Sequence, residues 1–137
     1  MDHRSLAREI AMKMLYAASL GGGETMDEVL EQSGQADAFS DRDKTFLENL
    51  VAGVTARQEE LDTVIGKYVQ GWAMNRLAKV DLTILRMAVY ELMCMPEIPV
   101  GATINEAVEL AKKFAEEKSS GFINGILGNA ARELRGE

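Results

Sequence analysis

A single cysteine, a single histidine and two prolines among 137 residues exclude several kinds of protein at once. Cys94 can form no internal disulfide and no multi-cysteine metal site. Flanked by Met93 and Met95 at the end of an apolar segment, it reads as a small buried apolar residue. His3 lies in a terminus prone to fray and has no metal co-ligands around it, so it is a poor general base. Aromatic residues make up only 6% of the chain, and no strand alternation, internal repeat or low-complexity tract interrupts it. No apolar run approaches a signal sequence or a membrane span, and Met1 is followed at once by Asp2, His3 and Arg4. A cytoplasmic location with no membrane contact is expected. Gly21-Gly22-Gly23 lacks the lysine-serine ending of a phosphate loop and follows a helical pattern instead of a strand, so it reads as a helix stop. The acid pairs Glu59-Glu60 and Glu116-Glu117 occupy surface-type positions. Nothing here assembles an active site, and no catalytic residue, metal or cofactor is expected.

What the chain does contain is apolar sequence at helical spacing. It is 47% hydrophobic and 27% charged, a balance that suits one globular all-α domain spanning 1–137. The net charge of −7 argues at first against nucleic acid, because phosphate contacts need lysine and arginine. Its distribution weakens the objection. Residues 21–63 carry 11 acids and 3 bases, a balance of −8, which leaves the remainder at +1. Any RNA surface should therefore avoid residues 21–63.

Leu6, Ile10, Met14 and Ala17 recur at helical spacing up to Leu20. Thr25 is a good N-cap for a short second helix, and Ser33 to Ser40 reads as a surface loop. Ser40 or Asp41 can cap a third helix, with a break expected near Gly53. From Val80 to Met93 apolar residues occur on every side, which marks a helix enclosed by others and the centre of the fold. Beyond Pro96 and Pro99, Thr103-Ile104-Asn105-Glu106 reads as a capping box that opens the next helix. Ser119 or Ser120 then caps a last helix with Ile123, Ile126, Leu127, Ala130 and Leu134 inward.

Two features stand apart from the core pattern. On the first helix Arg4, Ser5, Arg8, Met12 and Tyr16 fall within an arc of roughly 120°, read as an exposed strip beside the apolar stripe. Two arginines with a tyrosine beyond them could grip phosphates and stack a base; an ordinary charged face is the bland alternative. In the last helix Gly125 and Gly128 each cost about 1 kcal/mol relative to alanine, which suggests close approach by another backbone or a ligand. Tight helix packing explains them equally well, and periodicity leaves Phe122 open between core and stacking platform.

Several ordered motifs then carry a resemblance that covers nearly the whole chain. They are Ala7-Arg8-Glu9 leading to Leu15-Tyr16, Leu50-Val51-Ala52-Gly53-Val54 with Glu60-Leu61-Asp62 and Tyr68, Ile84 through Leu92, Ile104 through Lys112, and Phe122-Ile123-Asn124-Gly125-Ile126-Leu127. With these the sequence resembles the NusB family of bacterial transcription antitermination factors. The resemblance implies about seven helices packed as two small subdomains around the buried central helix. It also implies a role with NusE, a small ribosomal protein, on single-stranded boxA RNA, where the RNA polymerase antitermination complex reads through terminators in ribosomal RNA operons. The family's RNA-binding positions fall on Arg4, Ser5, Arg8, Tyr16, Ser119 and Phe122. Its NusE-facing surface falls on Tyr68, Asn75, Arg76 and Asp81. Ser5 and Leu6 stand where many relatives have further arginines, which implies weak RNA binding without the partner.

Two other readings compete. One is the RNA-binding domain of a ribosomal RNA cytosine methyltransferase, against which the residues after Leu134 leave no room for a methyl-donor fold. The other is a protein-only scaffold, a homodimer that covers the arginine helix.

Overall fold

The computed structural model describes residues 3–69 and 74–136, with His3 and Asn75 described in their backbone only. Seven α-helices and no strand occur among the described residues: α1 (His3–Ser19), α2 (Met26–Ser33), α3 (Asp41–Ala56), α4 (Gln58–Tyr68), α5 (Lys79–Cys94), α6 (Val100–Phe114) and α7 (Ser119–Arg135). Short 3₁₀ turns at Ala36–Ala38 and Met74–Arg76 join them. The chain divides into two compact units, Met1–Gly53 and Val54–Glu137.

In the first unit α2 packs on α1. The unit buries Leu6, Ala7, Ile10 and Ala11 of α1, Val29 and Leu30 of α2, and Leu47 and Leu50 of α3. Its helix ends follow local chemistry. The Thr25 hydroxyl accepts the Glu28 amide at 3.2 Å and so satisfies one of the orphan donors of α2, and Gly34 ends that helix in the left-handed region at φ 73°. Ser40 caps α3: its hydroxyl accepts the Asp43 amide while Asp43 accepts the Ser40 amide, a reciprocal capping box. The break expected near Gly53 falls four residues later, at Arg57, which is the N-cap of α4. Helix α3 runs through to Ala56, because one glycine costs only about 1 kcal/mol against a helix whose Leu50 and Val54 are both buried.

In the second unit α5 packs against α4, α6 and α7. It buries Ile84, Leu85, Met87, Ala88, Val89 and Leu92, as expected of an enclosed helix. Two polar devices fix its neighbours. Arg86 on α5 donates two hydrogen bonds to the Asp62 carboxylate on α4, at 2.7 and 2.8 Å. Arg135, the last residue of α7, donates to the carbonyls of Glu91, Leu92, Met95 and Ile98 at 2.6–2.9 Å. Glu91 O and Met95 O already accept the Met95 and Ile98 amides, so the guanidinium adds to the hydrogen bonding at the end of α5 and in the turn after it while locating the end of α7.

Two expectations at helix starts are corrected. Helix α6 opens at Val100 with Pro99 before it, not at Thr103, since proline carries no amide to satisfy at a helix entrance. Thr103 is buried inside the helix, where its hydroxyl donates to the buried Glu91 carboxylate at 3.0 Å. Helix α7 has no side-chain cap: Lys118 takes the N-cap position, and Ser119 turns its hydroxyl elsewhere. Cys94 is free and half-buried, not fully buried.

Candidate nucleic-acid interface

The strip expected on α1 is only partly exposed. Arg4, Ser5 and Tyr16 are half-buried, whereas Arg8 is 3% exposed and Met12 is buried as well. The reason lies on α3. The Arg4 and Arg8 guanidinium carbons stand 5.6 and 5.5 Å from the centre of the Phe46 ring, so both cations share one aromatic partner. An arginine stem buries readily along an apolar surface, and here the head is held with it. A helical wheel drawn on α1 alone cannot show a ring supplied by another helix.

The remaining expected residues lie in the second unit. Asp81, in the first turn of α5, accepts a hydrogen bond on Oδ2 from the Ser119 hydroxyl at 3.0 Å, and both residues are buried. Asp81 Oδ1 is buried with no hydrogen-bond partner among the described residues. Burial raises the Asp81 carboxyl above its ordinary value; the Ser119 hydrogen bond offsets part of that rise, and the nearby Glu116 charge adds to it. Around this pair lies a cavity of about 370 Å³ lined by Arg76, Leu77, Ala78, Asp81, Glu116, Lys118, Ser119 and Phe122. The structure thus gathers Ser119 and Phe122, expected to face RNA, with Arg76 and Asp81, expected to face protein. Lys118 and Glu116 also line it; Glu116 read as a surface position, and nothing in the sequence singled out Lys118.

Tyr68 is elsewhere. Its hydroxyl donates to Glu133 near the end of α7, and Lys67 donates to the same carboxylate at 3.0 Å. The carboxylate holds the Tyr68 phenol above its ordinary value, and the two donors hold Glu133 below its own. Ser119 and Glu133 are separated by most of α7, about 21 Å at 1.5 Å per residue. A surface containing both Tyr68 and Asp81 must therefore run nearly the length of that helix. The side chain of Asn75 lies outside the described residues.

A second groove, about 420 Å³, is lined by Gly101, Ile104, Asn105 and Val108 of α6 and Ser120, Gly121 and Asn124 of α7. It carries no ionisable side chain. Among the described residues no group of three or more His, Cys, Asp or Glu side chains is placed to hold a metal ion, and no helix is long and apolar enough to cross a membrane.

The NusB family model matches residues 5–132 of the chain. The chain belongs to the NusB family. Among its NusB relatives, the transcription antitermination protein NusB of Geobacter sulfurreducens is 44% identical over 98% of this chain and 97% of its own length. The same-named protein of Acetivibrio thermocellus is 41% identical over 94% of this chain and 88% of its own. Of solved structures, NusB from T. maritima superposes with a TM-score of 0.83 at 32% identity, covering 95% of this chain and 91% of that one. A further neighbour is a crystal structure described as antitermination factors NusB and NusE in complex with dsRNA, with a TM-score of 0.79, 28% identity and coverage of 97% and 98%. These NusB structures share the all-α architecture that the helical periodicity called for.

Proposed function

We propose that this chain is a non-enzymatic antitermination factor that binds single-stranded boxA RNA together with NusE, acting as one RNA-binding unit over 1–137. It works in the cytoplasm, within the RNA polymerase complex that reads through ribosomal RNA operons. The observation that carries this reading is the cavity around Asp81 and Ser119, where Phe122 supplies a face for base stacking and Arg76 and Lys118 supply charge for phosphate. Arg4, Ser5, Arg8 and Tyr16 form the second part of the RNA surface; Tyr68, Asn75, Arg76 and Asp81 form the NusE side. The names of the relatives and the NusB and NusE complex among the structural neighbours support it.

With a net charge of −7 the chain alone holds RNA weakly, and a basic partner supplies the missing positive surface. Coupling between two ligands is reciprocal, and a typical 1–3 kcal/mol corresponds to about 5-fold to 150-fold tighter binding of each in the presence of the other. Labelled boxA RNA is titrated with the chain, with and without saturating NusE. Tighter binding in the second titration is expected; equal affinities would remove the cooperative adaptor.

A further inference from the structure

Gly125 and Gly128 weaken α7, and tight packing within the chain would be the ordinary reason to keep them. The structure removes that reason: a Cβ built on Gly121, Gly125 or Gly128 meets nothing within 4 Å. At about 100° per residue, all three fall on the arc of α7 between Phe122 on one flank and Asn124 on the other, opposite the buried Ile123, Ile126 and Ala130. The first turns of α7 thus present a track free of side chains. It runs from the cavity beside Phe122 to the groove between α6 and α7.

That groove has a definite chemistry. Asn105 and Asn124 are exposed on its two walls, and neither carboxamide has a hydrogen-bond partner among the described residues. Ser120 adds a hydroxyl, Ile104 and Val108 add apolar floor, and Gly101 leaves the α6 wall open. Without lysine or arginine, these walls offer a phosphate only neutral hydrogen-bond donors and not the charge that dominates backbone binding. A carboxamide pairs a donor with an acceptor and matches the edge of a nucleobase, while apolar floor suits its faces.

We propose that the α6–α7 groove is a base-reading subsite for the RNA strand: the strand leaves Phe122, crosses the glycine track and presents a base edge to Asn105 and Asn124. This rests on the RNA-binding reading above and adds a source of sequence preference to it. Phe122 stacks any base, whereas the two carboxamides select among them. Because the subsite holds no charge, it alters preference without altering the salt dependence of binding.

The test uses the full chain with NusE, and two labelled strands of equal length, boxA RNA and a uridine homopolymer. Asn105→Ala with Asn124→Ala should reduce the preference for boxA by about fivefold to 150-fold, the equivalent of one lost bidentate base contact. Its salt slope and melting temperature should stay at wild-type values. Gly121→Leu with Gly125→Leu should melt at or above the wild-type temperature, since leucine is the better helix former at an open site, yet bind both strands more weakly. An asparagine pair that keeps its preference, or a leucine pair that keeps its affinity, overturns the subsite. Should Phe122→Ala weaken RNA binding while these variants do not, the RNA-binding reading stands and the groove falls alone. Loss of NusE binding with RNA binding intact would assign the groove to protein and overturn it too. If the wild-type chain with NusE binds neither strand, both readings fall.

Discussion

The Ser119 hydroxyl donates to Asp81 Oδ2 at 3.0 Å, in a buried contact that ties the first residue of α7 to the first turn of α5. One of these side chains was expected to face RNA and the other to face NusE. Their hydrogen bond couples them, so a change that removes either the donor or the acceptor disturbs both.

The titration of Asp81 is the first consequence. Burial is the main cause of its raised carboxyl, with Glu116 adding to the rise and Ser119 opposing it; Arg76 and Lys118 also line the cavity. A carboxyl raised in the folded state favours folding while protonated, and that contribution disappears as pH climbs from 3.8, the ordinary value, through the raised one. Asp81→Asn keeps an acceptor for Ser119 and removes the charge. It should be more stable than wild type at neutral pH, by about 1.4 kcal/mol for every pKa unit separating the folded from the unfolded carboxyl. The advantage should shrink to nothing below pH 3.8, which denaturant unfolding at several pH values measures. A constant difference across that range would refute the assignment.

Arg8 should show two effects where an exposed arginine shows one. Its place against Phe46 predicts that Arg8→Ala lowers unfolding free energy by about 0.5–2 kcal/mol, the usual worth of a cation held over a ring. If the side chain also reaches a phosphate, the salt slope of RNA binding flattens by about 0.7. Urea unfolding and titration at several salt concentrations separate the two: an unchanged slope leaves Arg8 a purely structural residue.

Phe122 lines the cavity and is half-buried, so it is neither a full core residue nor a free platform. Phe122→Ala should cost about 1–3 kcal/mol of RNA binding, the worth of one stacked base. Its stability should fall by less than the 3–5 kcal/mol that emptying a core phenylalanine site costs. Calorimetric melting beside the RNA titration decides, and a loss confined to stability would withdraw Phe122 from the interface.

The sequence was informative wherever the cause of structure was local. Apolar stripes and cap residues marked the helices they outlined to within a few residues, Thr25 was legible as a cap because its partner lies three residues on, and the all-round apolar pattern of α5 marked its burial. It failed where the cause came from a distant residue. Arg8 read as exposed because Phe46 belongs to another helix. Thr103 fitted a capping box, yet Pro99 had already opened the helix and Glu91 claimed the hydroxyl. Ser119 fitted a cap but found Asp81, 38 residues earlier in the chain. Of the candidate site, the residue types were legible and their grouping was not: Arg76, Asp81, Ser119 and Phe122 share one cavity, while Tyr68 is anchored near the far end of α7 by Glu133.

Arg135 should be the most sensitive surface-accessible position in the second unit. Arg135→Ala removes charge-assisted hydrogen bonds from four carbonyls and should cost about 2–3 kcal/mol in chemical denaturation. Arg135→Lys should recover little of it, since an ammonium cannot reproduce a planar fork. Full recovery by lysine would mean that charge alone, and not geometry, closes the end of α5.

The same guanidinium imposes an order on synthesis. A nascent chain grows from its amino end at about 5–20 residues per second, so α5 emerges from the ribosome well before the residue that caps it. Met95 waits 40 residues for Arg135. During that interval the helix end meets water instead of its cap, and the second unit cannot complete its hydrogen bonding, whereas every residue of the first unit has already been made. The two halves of this chain therefore reach their finished state at different moments of translation.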